Sequence, residues 1–170
     1  MRVLGIDPGT VKTGYGVIEE KDGEIALVDY GALVCSERSP IGERLSYIYG
    51  QLSEIISRCQ PDVVAIEQPF LARNVKSALA IGRAQAVAIL VAAQHAVPAC
   101  EYTPTQIKRV VTDYGASSKE QVQEMVKLQL GLCEVPEPND AADALAVAIC
   151  HVREVHLAGI LARQEQGDGR

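Results

Sequence analysis

The sequence predicts a single α/β domain built on a mixed, five-stranded sheet flanked by helices. Two observations carry that expectation. Short runs rich in Val, Ile, Leu and Tyr come first, joined by turn signals too brief to hold a helix. From residue 39 onward, helix-period and strand-length patterns alternate. With 170 residues, 48% hydrophobic and 22% charged, the chain has the balance of one globular domain. Aromatics make up only 4%, with no Trp and a single Phe, so the core must be aliphatic and rich in Ala.

Residues 2–7 form a short apolar run that ends in Asp-Pro-Gly-Thr, a buried strand followed by a turn. Residues 13–18 and 25–35 flank Lys21-Asp22-Gly23, a hairpin signal, so three antiparallel strands lead the fold. Ser39-Pro40 opens a helix with Ser39 as N-cap, and Ile41, Leu45, Ile48, Leu52, Ile55, Ile56 and Cys59 recur at helical spacing until Pro61. Residues 63–67 form a second buried strand, followed by a long helix over 74–95 crowded with Ala and Gly82. Small residues there allow close approach, either to a second subunit or within the monomer. A last strand spans 97–102, and Thr103-Pro104 caps a short helix. Ser117 and Glu120 match a capping box opening another helix through residue 130. Asn139 caps the final helix to about Leu157, so residues 1–157 form the domain and 158–170 a flexible tail.

The longest apolar run, residues 84–93, is interrupted by Gln85 and falls short of a membrane span. Asp7 arrives too early for a signal peptide. The five cysteines are odd in number, widely spaced and without a CxxC pair, which argues for reduced core thiols and a cytoplasmic protein. Net charge is -6, yet residues 73–119 hold six basic side chains against Glu101 and Asp113. Such a stretch is either a phosphate-binding face or a solvated helix surface.

Carboxylates rarely end an otherwise buried strand, because an unpaired buried charge is costly. Here Asp7 and Glu67 both do so. Asp140 and Asp143, three apart, share a face in the first turn of the final helix, where the helix dipole favours negative charge. Acidic first turns also occur without chemistry, but the Ala neighbours here allow close approach. Four carboxylates with no His, Cys or Ser constellation suit hard divalent cations. Two such ions about 4 Å apart serve in-line phosphoryl displacement. The residues alone therefore point to metal-dependent phosphodiester chemistry.

Gly5-Ile6-Asp7-Pro8-Gly9-Thr10, with Thr13-Gly14-Tyr15-Gly16-Val17, resembles the opening of the RuvC family of Holliday-junction resolvases. So do Ala65-Ile66-Glu67-Gln68 with Phe70 and Asn74, residues 117–123, and Asp140-Ala141-Ala142-Asp143-Ala144-Leu145-Ala146. Four collinear motifs from residue 2 to about 152 make a specific match. The resemblance implies a ribonuclease-H-like fold and a homodimer whose two active sites face one four-way DNA junction. It implies Asp7, Glu67, Asp140 and Asp143 as a catalytic, metal-binding tetrad holding two Mg²⁺ per subunit, with Mn²⁺ as substitute. It also implies symmetric hydrolysis leaving 5′-phosphate and 3′-hydroxyl nicks, and the RuvA–RuvB branch-migration complex as partner.

Phe70, beyond Glu67 in a loop marked by Pro69, is a base-stacking side chain or a buried loop anchor. Arg73, Lys76, Lys108 and Lys119 resemble the family's junction-contacting basics; Asn74 caps the long helix, contacts DNA, or both. Ala86 stands where the family usually has Gly, and Arg83 and Gln85 are exchanged relative to its usual order. His95, His151 and His156 match no metal-ligand pattern and read as structural. Sugar kinases and actin-like ATPases share the first phosphate loop but need two such domains. The shorter YqgF-like relatives typically lack the Asp-Ala-Ala-Asp helix. A junction-binding module of this fold without catalysis is the non-enzymatic alternative; retention of all four acids weighs against it.

Overall fold

The computed structural model describes residues 1–69 and 75–167, with side chains through Gln164. The strands are β1 (Arg2–Asp7), β2 (Lys12–Lys21), β3 (Glu24–Val34), β4 (Val63–Glu67) and β5 (Ala99–Tyr102). They form one sheet in the order β3-β2-β1-β4-β5. The first three pair antiparallel, whereas β4 and β5 run parallel to β1. Asp22 and Gly23, with φ of 56° and 88°, turn β2 into β3, the double positive φ that an Asp-Gly hairpin supplies.

The helices are α1 (Ile41–Cys59), α2 (Val75–Gln94), α3 (Pro104–Thr112), α4 (Lys119–Gln129) and α5 (Asn139–Gly167). Side chains alternate along β1 and β4, and each parity builds its own core. Leu4, Ile6, Val64 and Ile66 pack with Ile48, Leu52, Ile55 and Ile56 of α1 and Ala88, Val91 and Ala92 of α2. Val3, Val63 and Ala65 pack with Ile107 of α3, Val122 and Val126 of α4, and the buried run 145–150 of α5. By length and hydropathy α2 and α5 could each cross a membrane, with mean hydropathy 1.5, but much of that apolar surface is core.

Several helix ends depart from expectation. Pro40, not Ser39, is the N-cap of α1, with no side-chain cap bond; Ser39 is one residue too early and its N–H bonds the Ser36 carbonyl instead. The α4 capping box is Ser118 with Gln121, one residue beyond Ser117 and Glu120. Ser117 is buried, its hydroxyl occupied by Thr112 Oγ1 and the Tyr114 carbonyl. Asn139 does not cap α5 but lies inside its first turn, where the Pro138 carbonyl accepts from the Ala141 and Ala142 N–H groups. That helix runs on to Gly167 instead of stopping near Leu157. Thr103 caps α3 as expected, in a capping box with Gln106. All five cysteines are free thiols, although Cys133 is exposed and not in the core.

Candidate active site

Strand parity sends Asp7 and Glu67 to the face covered by α5. On β1 that face carries Val3, and on β4 it carries Val63 and Ala65, each an even number of residues from its acid. The parallel register pairs Ile6 with Ile66, so Asp7 and Glu67 follow as neighbours on adjacent strands, whose backbones lie about 4.8 Å apart.

Glycine then lets α5 approach. A Cβ on Gly5 would lie 2.0 Å from the Ala144 carbonyl oxygen and 2.8 Å from the Ala148 nitrogen. One on Gly14, the ladder partner of Asp7, would lie 1.9 Å from the Asp140 carbonyl oxygen. At Gly16, opposite Gly5, it would strike the Leu145 side chain at 2.6 Å. The helix therefore crosses β1 and β2 with backbone against backbone, and its first turns are set beside Asp7. The sequence reading recognised the small residues of α5 but missed their glycine counterparts; Gly5, Gly14 and Gly16 alternating along two strands were the available signal.

Asp7, Glu67 and Asp143 line one cleft of ≈ 380 Å³, together with Lys108 of α3 and Lys119 of α4, and with Ile107 and Val122 in its walls. Burial, reinforced by Glu67, Asp143 and Asp140, pushes the Asp7 carboxyl up to about 8. Burial and Asp143 push Glu67 up to about 7, against the opposing pull of Lys119 and Lys108. Lys119 forms an ion pair with Asp143, which the sequence reading did not foresee. Burial opposes the charge on Lys119, but Asp143, Asp7 and Asp140 together hold its pKa above the ordinary lysine value. Asp140 is half-buried and acts on Asp7 and Lys119 through its charge, without lining the cleft.

Among the described residues, no three Asp, Glu, His or Cys side chains converge closely enough to hold an ion as they stand. Asp143 is engaged by Lys119. The chemistry of the donor set nonetheless fits a hard divalent cation: every donor is a carboxylate oxygen, and burial with mutual repulsion raises Asp7 and Glu67 despite the nearby lysines, a cost that a bound cation would offset.

Of the predicted nucleic-acid contacts, Lys108 and Lys119 stand in the cleft. Lys76 is exposed in the first turn of α2, away from the cleft lining. Phe70, Arg73 and Asn74 lie outside the described residues. Gln85 donates to Glu101, while Arg83 and Ala86 are exposed. The histidines stay out of the acidic cluster: His95 bonds Ser53 Oγ at 2.7 Å, His156 stands 3.5 Å from Glu20, and His151 bonds Tyr102.

The model of the family described as crossover junction endodeoxyribonuclease RuvC matches residues 3–151. The chain is 55% identical over 168 residues to the crossover junction endodeoxyribonuclease RuvC of Dehalococcoides mccartyi, covering 99% of this chain and 100% of that one. It is 52% identical over 151 residues to the RuvC of Chloroflexus aggregans, covering 89% and 92%. Among solved structures it is similar to Thermus thermophilus RuvC in complex with a Holliday junction substrate. There the TM-score is 0.88 at 34% identity, over 93% of this chain and 96% of that one.

Proposed function

The chain belongs to the RuvC family of crossover junction endodeoxyribonucleases, and we propose that it resolves four-way DNA junctions by hydrolysing phosphodiester bonds in the cleft between β1, β4 and α5. It is a nuclease of recombination and repair with a ribonuclease-H-like fold, and its chemistry is metal-dependent. The observation that carries this reading is the meeting of Asp7, Glu67 and Asp143 in one cleft rimmed by Lys108 and Lys119. The inactive junction-binding alternative is not favoured, since burying repelling carboxylates costs stability that a mere binding surface has no use for.

Asp7, Glu67, Asp140 and Asp143 are the proposed holders of two Mg²⁺ ions per subunit, Asp140 from the rim through its charge or by reorienting. When bound, divalent cations polarise the scissile phosphate and lower the pKa of an attacking water. The remaining work falls to the protein. Burial and mutual repulsion favour the neutral acids of Asp7 and Glu67, so arriving positive charge promotes release of their protons. Lys119, exposed over half its side chain, is able to exchange Asp143 for a DNA phosphate. Lys108 offers a second cation to the backbone, positioning the strand without reading bases. Phe70, Arg73, Asn74 and Lys76 are the further DNA contacts proposed from the resemblance.

Paired nicks on strands of like polarity require two such sites, hence a homodimer. Support comes from α2, where Ala84, Ala88 and Val91 are buried within the monomer while Leu79, Ala86, Ile89 and Leu90 remain exposed. The RuvA–RuvB complex is the proposed partner that delivers the junction. The test is incubation of the protein and its Glu67→Gln variant with a synthetic four-way junction and a matched linear duplex, with Mg²⁺ or with chelator. Expected are paired, religatable nicks on the junction alone, lost on chelation and in the variant. Tight junction binding without cutting on any core sequence would overturn the catalytic reading, and equal cutting of the duplex would overturn junction selectivity.

A further inference from the structure

We propose that the hydrogen bond between Tyr102 and His151 is a clasp that holds Glu67 in place against Asp143, making both Tyr102 and His151 positioning residues for the cation site. The inference rests on the nuclease reading above and concerns how that site keeps its dimensions.

Glu67 is the last residue of β4, and its ladder partner on β5 is Tyr102. One step on, the Gln68 N–H donates to the Tyr102 carbonyl at 2.8 Å, the last backbone bond before the chain leaves the strand. β5 has four residues and lies at the sheet edge, bonded on one side only. Such a short edge strand frays readily unless its side chains are anchored. Tyr102 supplies the anchor. Its ring lies on the α5 side, and its hydroxyl reaches His151 Nδ1 at 2.7 Å, with the rings edge to face at 5.9 Å between centroids.

His151 belongs to α5, eight residues beyond Asp143, or about 12 Å along the helix axis. The clasp thus ties the strand edge beside Glu67 to the same rigid helix that carries Asp143. Toward the middle of the sheet, Gly5, Gly14 and Gly16 already lock α5 to β1 and β2. The glycines fix Asp143 relative to Asp7, while β4 meets α5 through the apolar contacts of Val63 and Ala65, which set no direction for Glu67. Tyr102 and His151 close the loop from the other side. The bond is well suited to this work. Burial disfavours both the imidazolium of His151 and the phenolate of Tyr102, so the bond joins two neutral groups. A buried polar pair satisfied by each other specifies one arrangement of strand and helix where an apolar contact would tolerate several.

The experiment compares wild type, Tyr102→Phe, His151→Leu and His151→Asn, the last keeping an acceptor at the position of Nδ1. Two quantities are read: the Mg²⁺ concentration at half-maximal rise in melting temperature, without DNA, and the single-turnover rate on a four-way junction at limiting Mg²⁺. In Tyr102→Phe and His151→Leu the half-saturating Mg²⁺ should rise, and the rate fall, by about tenfold or more. Junction affinity in chelator should stay unchanged, and His151→Asn should stay close to wild type. A Tyr102→Phe variant that melts earlier yet keeps the wild-type Mg²⁺ midpoint would reduce the clasp to ordinary packing and overturn the proposal. Wild type that neither cuts the junction nor gains stability with Mg²⁺ would instead sink the nuclease reading, and the clasp with it.

Discussion

The two faces of the sheet are packed by opposite means. Beneath α1 and α2 the contact is made by branched aliphatic chains: Leu4, Ile6, Val64 and Ile66 interlock with Ile48, Leu52, Ile55 and Ile56. Beneath α5, over β1 and β2, Val3 and Ile18 pack on the buried run 145–150, but at Gly5 and Gly14 strand backbone meets helix backbone with no side chain between. The first arrangement is a layer that can relax around a lost methyl group. In the second, helix position is set by hard contact, and Asp140 and Asp143 ride on the helix. The comparison teaches that site geometry is lodged on the α5 face alone, whereas both faces carry stability, so a mutation beneath α1 and α2 should cost stability without touching the site.

Gly14→Ala breaks the comparison hardest. The new Cβ lies 1.9 Å from the Asp140 carbonyl oxygen, so α5 must move. A stability loss of about 3 kcal/mol is expected from overpacking. Misplacement of the acids on the order of 1 Å should lower junction cleavage about a hundredfold. Chemical denaturation and single-turnover cleavage check the two parts. Leu52→Ala is the counterpart on the other face. Leu52 is fully buried, and its truncation should cost about 2–5 kcal/mol. The folded fraction should nonetheless cleave at the wild-type rate.

A third prediction sharpens the contrast through pH. Asp7 is raised from 3.8 to about 8 and Glu67 from 4.5 to about 7. As pH climbs through that window, the unfolded chain releases these protons while the metal-free fold retains them. This contribution therefore destabilises the fold progressively between pH 4 and 8, and levels off above. Mg²⁺ must displace the same protons, so its rise in melting temperature should be small at pH 6 and largest above pH 8. An equal rise at both would exclude the acids as its binding site. The smallest effect on stability is expected from Lys119→Met. Its ion pair with Asp143 is half exposed, which limits the change to under about 1 kcal/mol. Loss of a phosphate contact should flatten the slope of log affinity against log salt by about 1, measured by junction binding in chelator.

Much of this site was legible in the sequence because its signals are local. An acid ending a buried strand is visible at Asp7 and Glu67, and the Asp140–Asp143 spacing declares one helix face. What sequence could not rank were equivalent local options resolved by tertiary contact. Ser117 and Ser118 both begin capping boxes, and only the capture of the Ser117 hydroxyl by Thr112 and Tyr114 leaves the cap to Ser118. Likewise nothing local in the sequence marks Lys119 as the partner of Asp143, since the two meet across α4 and α5. Asp140 shares its helix face with Asp143, yet only the latter reaches the cleft lining, because the Asp140 backbone is itself pressed against Gly14.

The most direct measurement sets Gly14→Ala beside Leu52→Ala in one single-turnover cleavage experiment on a four-way junction, with each rate corrected for the fraction folded. Site geometry lodged on the α5 face alone predicts that Leu52→Ala cuts as fast as wild type while Gly14→Ala is slower by about two orders of magnitude. Equal rates in the two variants would contradict the claim that backbone contact between α5 and the sheet glycines is what builds the site.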